Sequence, residues 1–358
     1  MKTTKIEPRS KKLPFVSMIL PIRNESAFIA CSIKAVLAQD YPRDRYEVIV
    51  ADGMSTDDTR QIVELFQSTQ PNLRLIDNPG RIVPTGLNAA IAQARGQIIA
   101  RVDGHCEIAP DYLRNCVTHL LNDGVDGVGG PLQTIGETFT ARVIAAAMSS
   151  TFGVGNSAFR TVNDSTQLTD TVAFPAYTRA IVEAAGPFDE ELVRNQDDEY
   201  NYRVRKLGAR ILLAADVRSK YYSRGSLRSL WRQYFQYGYW KVRVMQKHPR
   251  QMRARQFVPF FFVVSLLLCL LLLPLLGPSL LLVVVDSYLI ANLLASILVA
   301  SRKGKPLFVL LPTAFAILHL SFGLGFLIGL VKFRSRWFNR NDNSTESMVQ
   351  TELRLPQV

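Results

Sequence analysis

The chain has 358 residues and a formal charge of +12, long enough for a full catalytic domain and a smaller appendage. The charge is uneven: from Arg218 to Arg255 there are eleven Lys or Arg and no Asp or Glu, and the stripe runs straight into hydrocarbon-like sequence. That order points to an anionic membrane face and argues against nucleic acid as a partner.

Residues 1–14 are basic but lack the apolar core of a signal peptide, so the following domain is expected to stay in the cytoplasm. Phe15–Ile22 reads as a buried strand that ends at Arg23-Asn24-Glu25-Ser26, with Ser26 as the expected cap of a helix over Ala27–Ala38. Tyr46–Ala51 is a second strand, and Thr56–Gln67 a capped helix whose Asp57 and Asp58 suit its positive end. Leu73–Ile76, Thr85–Ala94 and Gln97–Val102 read as strand, helix and strand. This alternation predicts a mostly parallel sheet covered on both faces, with ligands held beyond the carboxyl ends of its strands. Asp52 and Asp103 lie just past two such ends. Cys31, Cys106, Cys116 and Cys269 have no zinc-like spacing, in keeping with a reducing compartment.

Three acidic clusters carry the candidate chemistry. A carboxylate at Asp52 can accept the imide N–H of a uracil ring, though Asp52-Gly53 is also ordinary turn chemistry. Asp103 and His105, two apart in extended backbone, would project to one side and hold a divalent ion against phosphates. The imidazole favours Mn²⁺ over Mg²⁺. Asp197-Asp198-Glu199 opens a helix running to Leu207; Glu199 is expected to pair with Arg203, and one of the two Asp to act as a general base. Gly153 to Ala158 fits a GxGxxA pattern, but without a flanking strand and helix it is expected to be a loop over the active site.

Beyond Asp216 the pattern changes. Ser226–Lys247 is aromatic and basic and reads as an amphipathic helix in the headgroup region. Phe257–Leu276, Leu280–Ala300 and Leu307–Val331 are each close to the length needed to span a bilayer, with Asp286, Asn292 and His319 expected at helix contacts. Three full spans would leave the basic cluster after residue 331 on the outside, against the positive-inside rule, which a re-entrant third segment would resolve. The end of the chain is polar.

Taken together, these residues resemble the family 2 glycosyltransferases. The likeness spans roughly residues 15–215 and rests on Ile19-Leu20-Pro21-Ile22-Arg23-Asn24-Glu25, Val50 to Thr59, Gly86-Leu87-Asn88-Ala89-Ala90, Asp103-Gly104-His105 in place of the usual Asp-x-Asp, Gly186 to Glu190, and Asp197 to Arg203. The resemblance implies a GT-A-type α/β nucleotide-diphospho-sugar transferase domain over residues 15–215. A basic interfacial region (216–256), a transmembrane region of about three apolar segments (257–335) and a polar tail (336–358) would follow. It implies nucleotide contacts at Pro21, Arg23, Asn24, Glu25, Asp52, Asn88 and Asp103, and a divalent metal, Mn²⁺ or Mg²⁺, at Asp103 and His105. It also implies a base at Asp197, with Gln196, Asp198 and Gln233 on the acceptor side. Within the family, the Asp-Gly-His variant, Phe152-Gly153-Val154-Gly155 and Gln233 to Gly238 are most like bacterial succinoglycan-type glucosyltransferases. The expected partners are then a UDP-sugar, with glucose as the sugar, a polyprenyl-diphosphate-linked saccharide, anionic lipid and other polysaccharide-assembly proteins. The expected location is the cytoplasmic face of the bacterial inner membrane. No Gln-x-x-Arg-Trp motif precedes Trp337, since position 333 is Phe, which favours one sugar, or few, per encounter. Two alternatives stand beside this reading: transfer to polyprenyl phosphate itself, and a non-catalytic membrane subunit.

Overall fold

A computed structural model of the protein describes residues 13–162 and 164–337. Strand β1 (Val16–Ile22) is buried at all seven positions, as a central parallel strand must be. Its alternate residues serve two different cores. Val16, Met18, Leu20 and Ile22 pack with Ile29, Ile33 and Val36 of helix α1 (Ile29–Leu37). Ile19 faces the other way, towards Leu87 and Ala90. Strands β2 (Tyr46–Asp52) and β3 (Leu73–Asp77) extend the parallel sheet, linked by helix α2 (Thr59–Gln67). Helix α3 (Val83–Gln93) then leads to β4 (Ile98–Arg101), which pairs with the opposite edge of β1. The chain order therefore reverses between β1 and β4, which opens a crevice at their carboxyl ends.

Ser26 does not cap α1. The helix starts later, behind Phe28, and the Ser26 N–H donates to Asp57 Oδ2 at 3.2 Å instead. The short β5 (Cys106–Ile108) leaves the main sheet. Helix α4 (Tyr112–Asn122), β6 (Gly127–Gly130), β7 (Leu132–Ile135), α5 (Phe139–Met148), α6 (Thr151–Val154), α7 (Ala158–Thr161), β8 (Gln167–Thr169) and β9 (Ala173–Thr178) follow. Helix α8 (Arg179–Ala185), α9 (Gln196–Lys206), β10 (Ile211–Leu213) and β11 (Ser219–Tyr222) complete the domain. The main sheet runs β3-β2-β1-β4-β9-β6-β10-β8, and β5-β11-β7 form a small second sheet. In the Gly153–Ala158 segment, Gly153 and Val154 end α6, residues 155–157 form a short connection, and Ala158 opens α7, whose Phe159 and Arg160 line the cavity at the β1–β4 crevice; Gly153 abuts the Ala147 carbonyl with no room for a side chain.

Helix α10 (Leu227–Lys247) and three apolar helices, α11 (Ala254–Leu276), α12 (Ser279–Lys303) and α13 (Leu311–Lys332), end the described chain. All three apolar helices are long and apolar enough to cross a membrane. They are not equivalent. Helices α11 and α12 are largely exposed, whereas Leu311, Ala314, Phe315 and Leu318 of α13 belong to the same core as β1. Helix α13 lies against α10 at glycine contacts: a Cβ on Gly238 would overlap the Phe322 carbonyl oxygen, and one on Gly325 the Phe235 carbonyl oxygen.

The cations in the C-terminal half of α10 do not form a free headgroup face. Lys241 pairs with Asp198, Arg243 with Glu191 at 2.7 Å, and Lys247 with Asp189 and with Glu191 at 2.6 Å. This half of the basic stripe clamps the helix to the catalytic domain, because the acids that neutralise it come from a different part of the sequence. The N-terminal segment to residue 12 and the tail from residue 338 lie outside the described residues.

Candidate active site

The turns after β1 and β2 are tied together before any ligand is considered. The Asn24 N–H donates to Ser55 Oγ at 2.9 Å, Asn24 Oδ1 accepts from the Thr56 N–H at 2.9 Å, and the Glu25 N–H donates to Thr59 Oγ1 at 2.7 Å. Asn24 takes a left-handed conformation (φ 52°), which its short polar side chain tolerates. Asp57 accepts from the N–H groups of Ser26 and Thr59, so its role is to brace these turns. Asp52 sits at the end of β2 and is fully buried. Ser55 Oγ donates to it at 2.5 Å, and Arg60 approaches it at 3.4 Å while also pairing with Asp77 at 2.7 Å.

Beyond β4, Arg101 holds Asp103 through two contacts, at 2.8 and 3.2 Å. His105 Nδ1 meets Glu25 Oε1 at 2.9 Å. Burial alone would push the imidazole down; the adjacent Glu25 carboxylate more than offsets this and raises His105 to about 9. A cation at Nε2 would displace that proton while Glu25 kept the Nδ1–H in place, the usual outer-shell arrangement of a metal-bound histidine. One carboxylate and one imidazole fit a divalent ion whose other ligands are phosphate oxygens. Among the described residues no group of three or more His, Cys, Asp or Glu forms a self-sufficient cage.

A cavity of about 450 Å³ opens at the β1–β4 crevice. Pro21, Arg23, Asn24, Glu25, Asp103 and His105 form one part of its wall; Gln196, Asp197 and Gln233 form another. Three expected residues are not among those lining it. Asp52 lies beneath the turns, enclosed by Ser55 and Arg60. Asn88 donates to the Phe188 carbonyl at 2.9 Å and accepts from the Phe188 N–H at 2.8 Å, so its side chain braces the Phe188 loop. Asp198 turns away to Lys241, and Gln251 donates to its carbonyl at 2.8 Å.

The two neighbouring aspartates are thereby told apart. Asp197 faces the cavity, with its Oδ1 accepting from the Asp198 N–H at 2.9 Å. Glu199 is structural, paired with Arg203 at 2.6 Å and with His248 at 2.9 Å. Helix α9 starts at this point because Asn195 adopts a left-handed φ of 63°, and Asn195 Nδ2 donates to the Tyr237 carbonyl of α10 at 2.9 Å. Sequence reasoning missed Arg81, Arg160, Arg194, Arg224, Tyr221 and Tyr237, which also line the cavity. Arg224 was hidden within the basic stripe assigned to lipid; Arg194, just ahead of the third acidic cluster, was the more legible signal.

Residues 17–183 match the family model described as Glycosyl transferase family 2. The chain is 29% identical, over 89% of its length and 96% of the relative's, to the succinoglycan biosynthesis protein ExoA of Rhizobium meliloti (strain 1021). It is 28% identical, over 90% of its length and 98% of the relative's, to the dolichyl N-acetyl-alpha-D-glucosaminyl phosphate 3-beta-D-2,3-diacetamido-2,3-dideoxy-beta-D-glucuronosyltransferase of Methanococcus voltae. Among solved structures, the mannosyltransferase PcManGT from Pyrobaculum calidifontis, in complex with GDP-Man and Mn²⁺, superposes with a TM-score of 0.57 at 22% identity, covering 88% of each chain. That likeness supports the GT-A fold.

Proposed function

Since the chain carries a family 2 glycosyltransferase domain and is a glycosyltransferase, we propose that it moves one sugar from a UDP-sugar to a hydroxyl of a lipid-linked saccharide, with inversion. The observation that carries this reading is the single cavity joining Asp103 and His105, at the ligand edge of the sheet, to Asp197 on the wall next to α10. An in-line displacement needs a base on one face of the sugar and a stabilised leaving group on the other.

Asp197 is the base: its carboxylate accepts the acceptor hydroxyl proton as that oxygen bonds to C1 of the sugar. The C1–O bond to the diphosphate breaks, and UDP leaves with the electron pair. A divalent metal, with Mn²⁺ favoured by the imidazole, would neutralise charge on the diphosphate. Asp103 and His105 would hold it, with Arg101 and Glu25 fixing their orientation. Asp52 reads the uracil imide once a nucleotide draws Ser55 and Arg60 aside. Pro21, Arg23 and Asn24 line the nucleotide end, and Gln196 and Gln233 the acceptor end.

A role in a bacterial exopolysaccharide pathway agrees with the name of the rhizobial relative, a succinoglycan biosynthesis protein, and on this reading the acceptor is a saccharide on polyprenyl diphosphate and the sugar is glucose. The archaeal relative's name gives an acceptor that is likewise a lipid-linked sugar. The paired placement of a base and a cavity favours a hydroxyl acceptor over polyprenyl phosphate itself, whose oxygen is already charged. A non-catalytic assembly role is not supported by a transferase domain that keeps all three acidic turns.

The catalytic domain stands on the cytoplasmic face. Helices α11 and α12 cross as a hairpin, with the Gly277–Pro278 turn outside, and α13 does not cross. The burial of α13 in the core that contains β1 supports this, and it places all the Lys/Arg clusters on one side. Arg250, exposed ahead of α11, meets anionic lipid, whereas Arg253 and Arg255 approach Asp170 at 3.1 and 3.8 Å. The test of the reaction is a screen of UDP-sugars against membranes that carry lipid-linked oligosaccharides. Release of UDP with a matching extension of the lipid-linked sugar is expected, and UDP-sugar hydrolysis with no extended lipid would refute it.

A further inference from the structure

Asp197 lies between two spaces. It faces the large cavity on one side and borders a small buried one of about 10 Å³ on the other, together with Arg101, Tyr177, Tyr200 and Asn201. Packing alone therefore does not fix the carboxylate, and its place depends on the hydrogen bonds that hold the first turn of α9. One side chain gathers those bonds. Asn201, one turn further along α9, is 1% exposed. Its Nδ2 donates to the Asp197 carbonyl at 2.9 Å and to Thr171 Oγ1 at 3.0 Å, and its Oδ1 accepts from the Tyr177 hydroxyl of β9. Both amide hydrogens are used, so the group has a single orientation.

Thr171 leads towards the membrane boundary. It lies in the turn between β8 and β9, where its neighbour Asp170 meets Arg253 at 3.1 Å and Arg255 at 3.8 Å. Arg253 is the N-cap of α11, with its N–H donating to Gln256 Oε1 at 3.0 Å, and Arg255 sits in the first turn of that helix. Arg255 also donates to the Asn156 carbonyl, so the same turn grips the chain on both sides of α7. Asp170 does not line the large cavity, so its carboxylate serves the contact with α11 and not a ligand there. An ion pair with a half-exposed partner contributes little to stability, but it sets where the β8–β9 turn sits.

A continuous set of contacts thus runs from the first turn of α11 through Asp170, Thr171 and Asn201 to the backbone of Asp197. We propose that Asn201 is the positioning residue of the base, and that Asp170 and Thr171 make this position depend on α11 being docked at the membrane boundary. Asn201 does not line the large cavity, so it acts through Asp197 and not on a substrate. An in-line displacement is sensitive to such support, since a shift of about 1 Å in a reacting group can cost about 10²-fold in rate. This deepens the proposed reaction and rests on Asp197 being its base.

The test uses the full-length protein in nanodiscs, with UDP-glucose as donor and a short-chain prenyl-diphosphate-linked glucose as acceptor. Thr171→Val removes the hydroxyl and keeps the shape, whereas Thr171→Ser keeps the hydroxyl. Thr171→Val should lower kcat about tenfold or more, with both KM values and the affinity for UDP in Mn²⁺ within about twofold, which also shows that the variant is folded. Thr171→Ser should stay within about threefold of the wild type. Asp170→Asn and Arg253→Gln should each lower kcat, and the double variant should be no slower than the slower single one, because both break the same contact. Hydrogen exchange across residues 195–202 should quicken in Thr171→Val and Asp170→Asn but not in Thr171→Ser. An unchanged kcat in Thr171→Val beside an inactive Asp197→Asn would overturn the inference, as would equal losses in Thr171→Val and Thr171→Ser. Additive losses in Asp170→Asn and Arg253→Gln would overturn the dependence on α11. If the wild type forms no product, or Asp197→Asn forms it at the normal rate, the proposed reaction falls, and the exchange comparison alone decides whether this contact path positions Asp197.

Discussion

Glu191 ties α10 and the segment beyond α13 to the loop that leads into α9, the helix of Asp197. Its carboxylate meets Arg243 at 2.7 Å, Lys247 at 2.6 Å and Arg336, the first two on α10 and the last beyond α13. Burial alone would raise this carboxyl; hydrogen bonds and charge from Arg243 and Lys247 reverse that and hold it at about 2. Against an ordinary value of 4.5, that difference corresponds to about 3 kcal/mol of folded-state stability at neutral pH. Glu191→Gln removes the charge and leaves the cations facing one another, so the cost should be about 3 kcal/mol. The assay is the thermal midpoint of the purified protein in detergent, wild type against variant, across pH. The folded-state value is depressed, so the contribution is complete above about 4.5 and is lost as pH falls towards about 2. The gap between the two proteins should therefore be widest at neutral pH and narrow steadily below about pH 4.5. A variant as stable as the wild type at pH 7, or a gap that widens in acid, would refute the argument.

Three further outcomes follow from the geometry. Asp52→Asn should weaken UDP by about tenfold or more while leaving CDP little changed, measured by competition; equal inhibition of the wild type by UDP and CDP would remove the uracil role. Replacing His105 with Asp should keep transfer but move the metal preference towards Mg²⁺, and full activity of Asp103→Ala in chelator would end the metal assignment. Gly325→Val drives a side chain into the Phe235 carbonyl and should separate α10 from α13 at a cost of about 1–3 kcal/mol, read as a lower thermal midpoint and faster proteolysis after Lys247.

The catalytic fold was legible because its signals are local. The apolar runs of β1, β2 and β4, each followed by a polar or Asp-Gly turn, specify parallel strands and place Asp52 and Asp103 at their ends. The pair Glu199–Arg203 was readable from its spacing alone. What the sequence hid depends on long-range partners. Nothing local shows that Lys241 reaches Asp198, 43 residues earlier, so the stripe looked like a lipid-facing surface. Nothing in the spacing of Asp197 and Asp198 says which one turns to the cavity; that choice is made by α10 docking beside α9. The brace made by Asn88 was hidden for a related reason, since its partner Phe188 lies 100 residues away. The glycines of Gly153–Gly155 looked like a ligand loop, whereas Gly153 serves close packing against Ala147.

The assignment of Asp197 as the base is the centre of the account, and one comparison tests it. Asp197→Asn and Asp198→Asn are assayed side by side for UDP binding and for sugar transfer to the lipid-linked acceptor. Asp197→Asn should bind UDP normally and lose about 10²–10⁴-fold in transfer rate, because the shape stays and the proton acceptor goes. Asp198→Asn should keep most of its rate and lose stability, because its partner is Lys241. Normal turnover by Asp197→Asn with a dead Asp198→Asn would contradict the assignment.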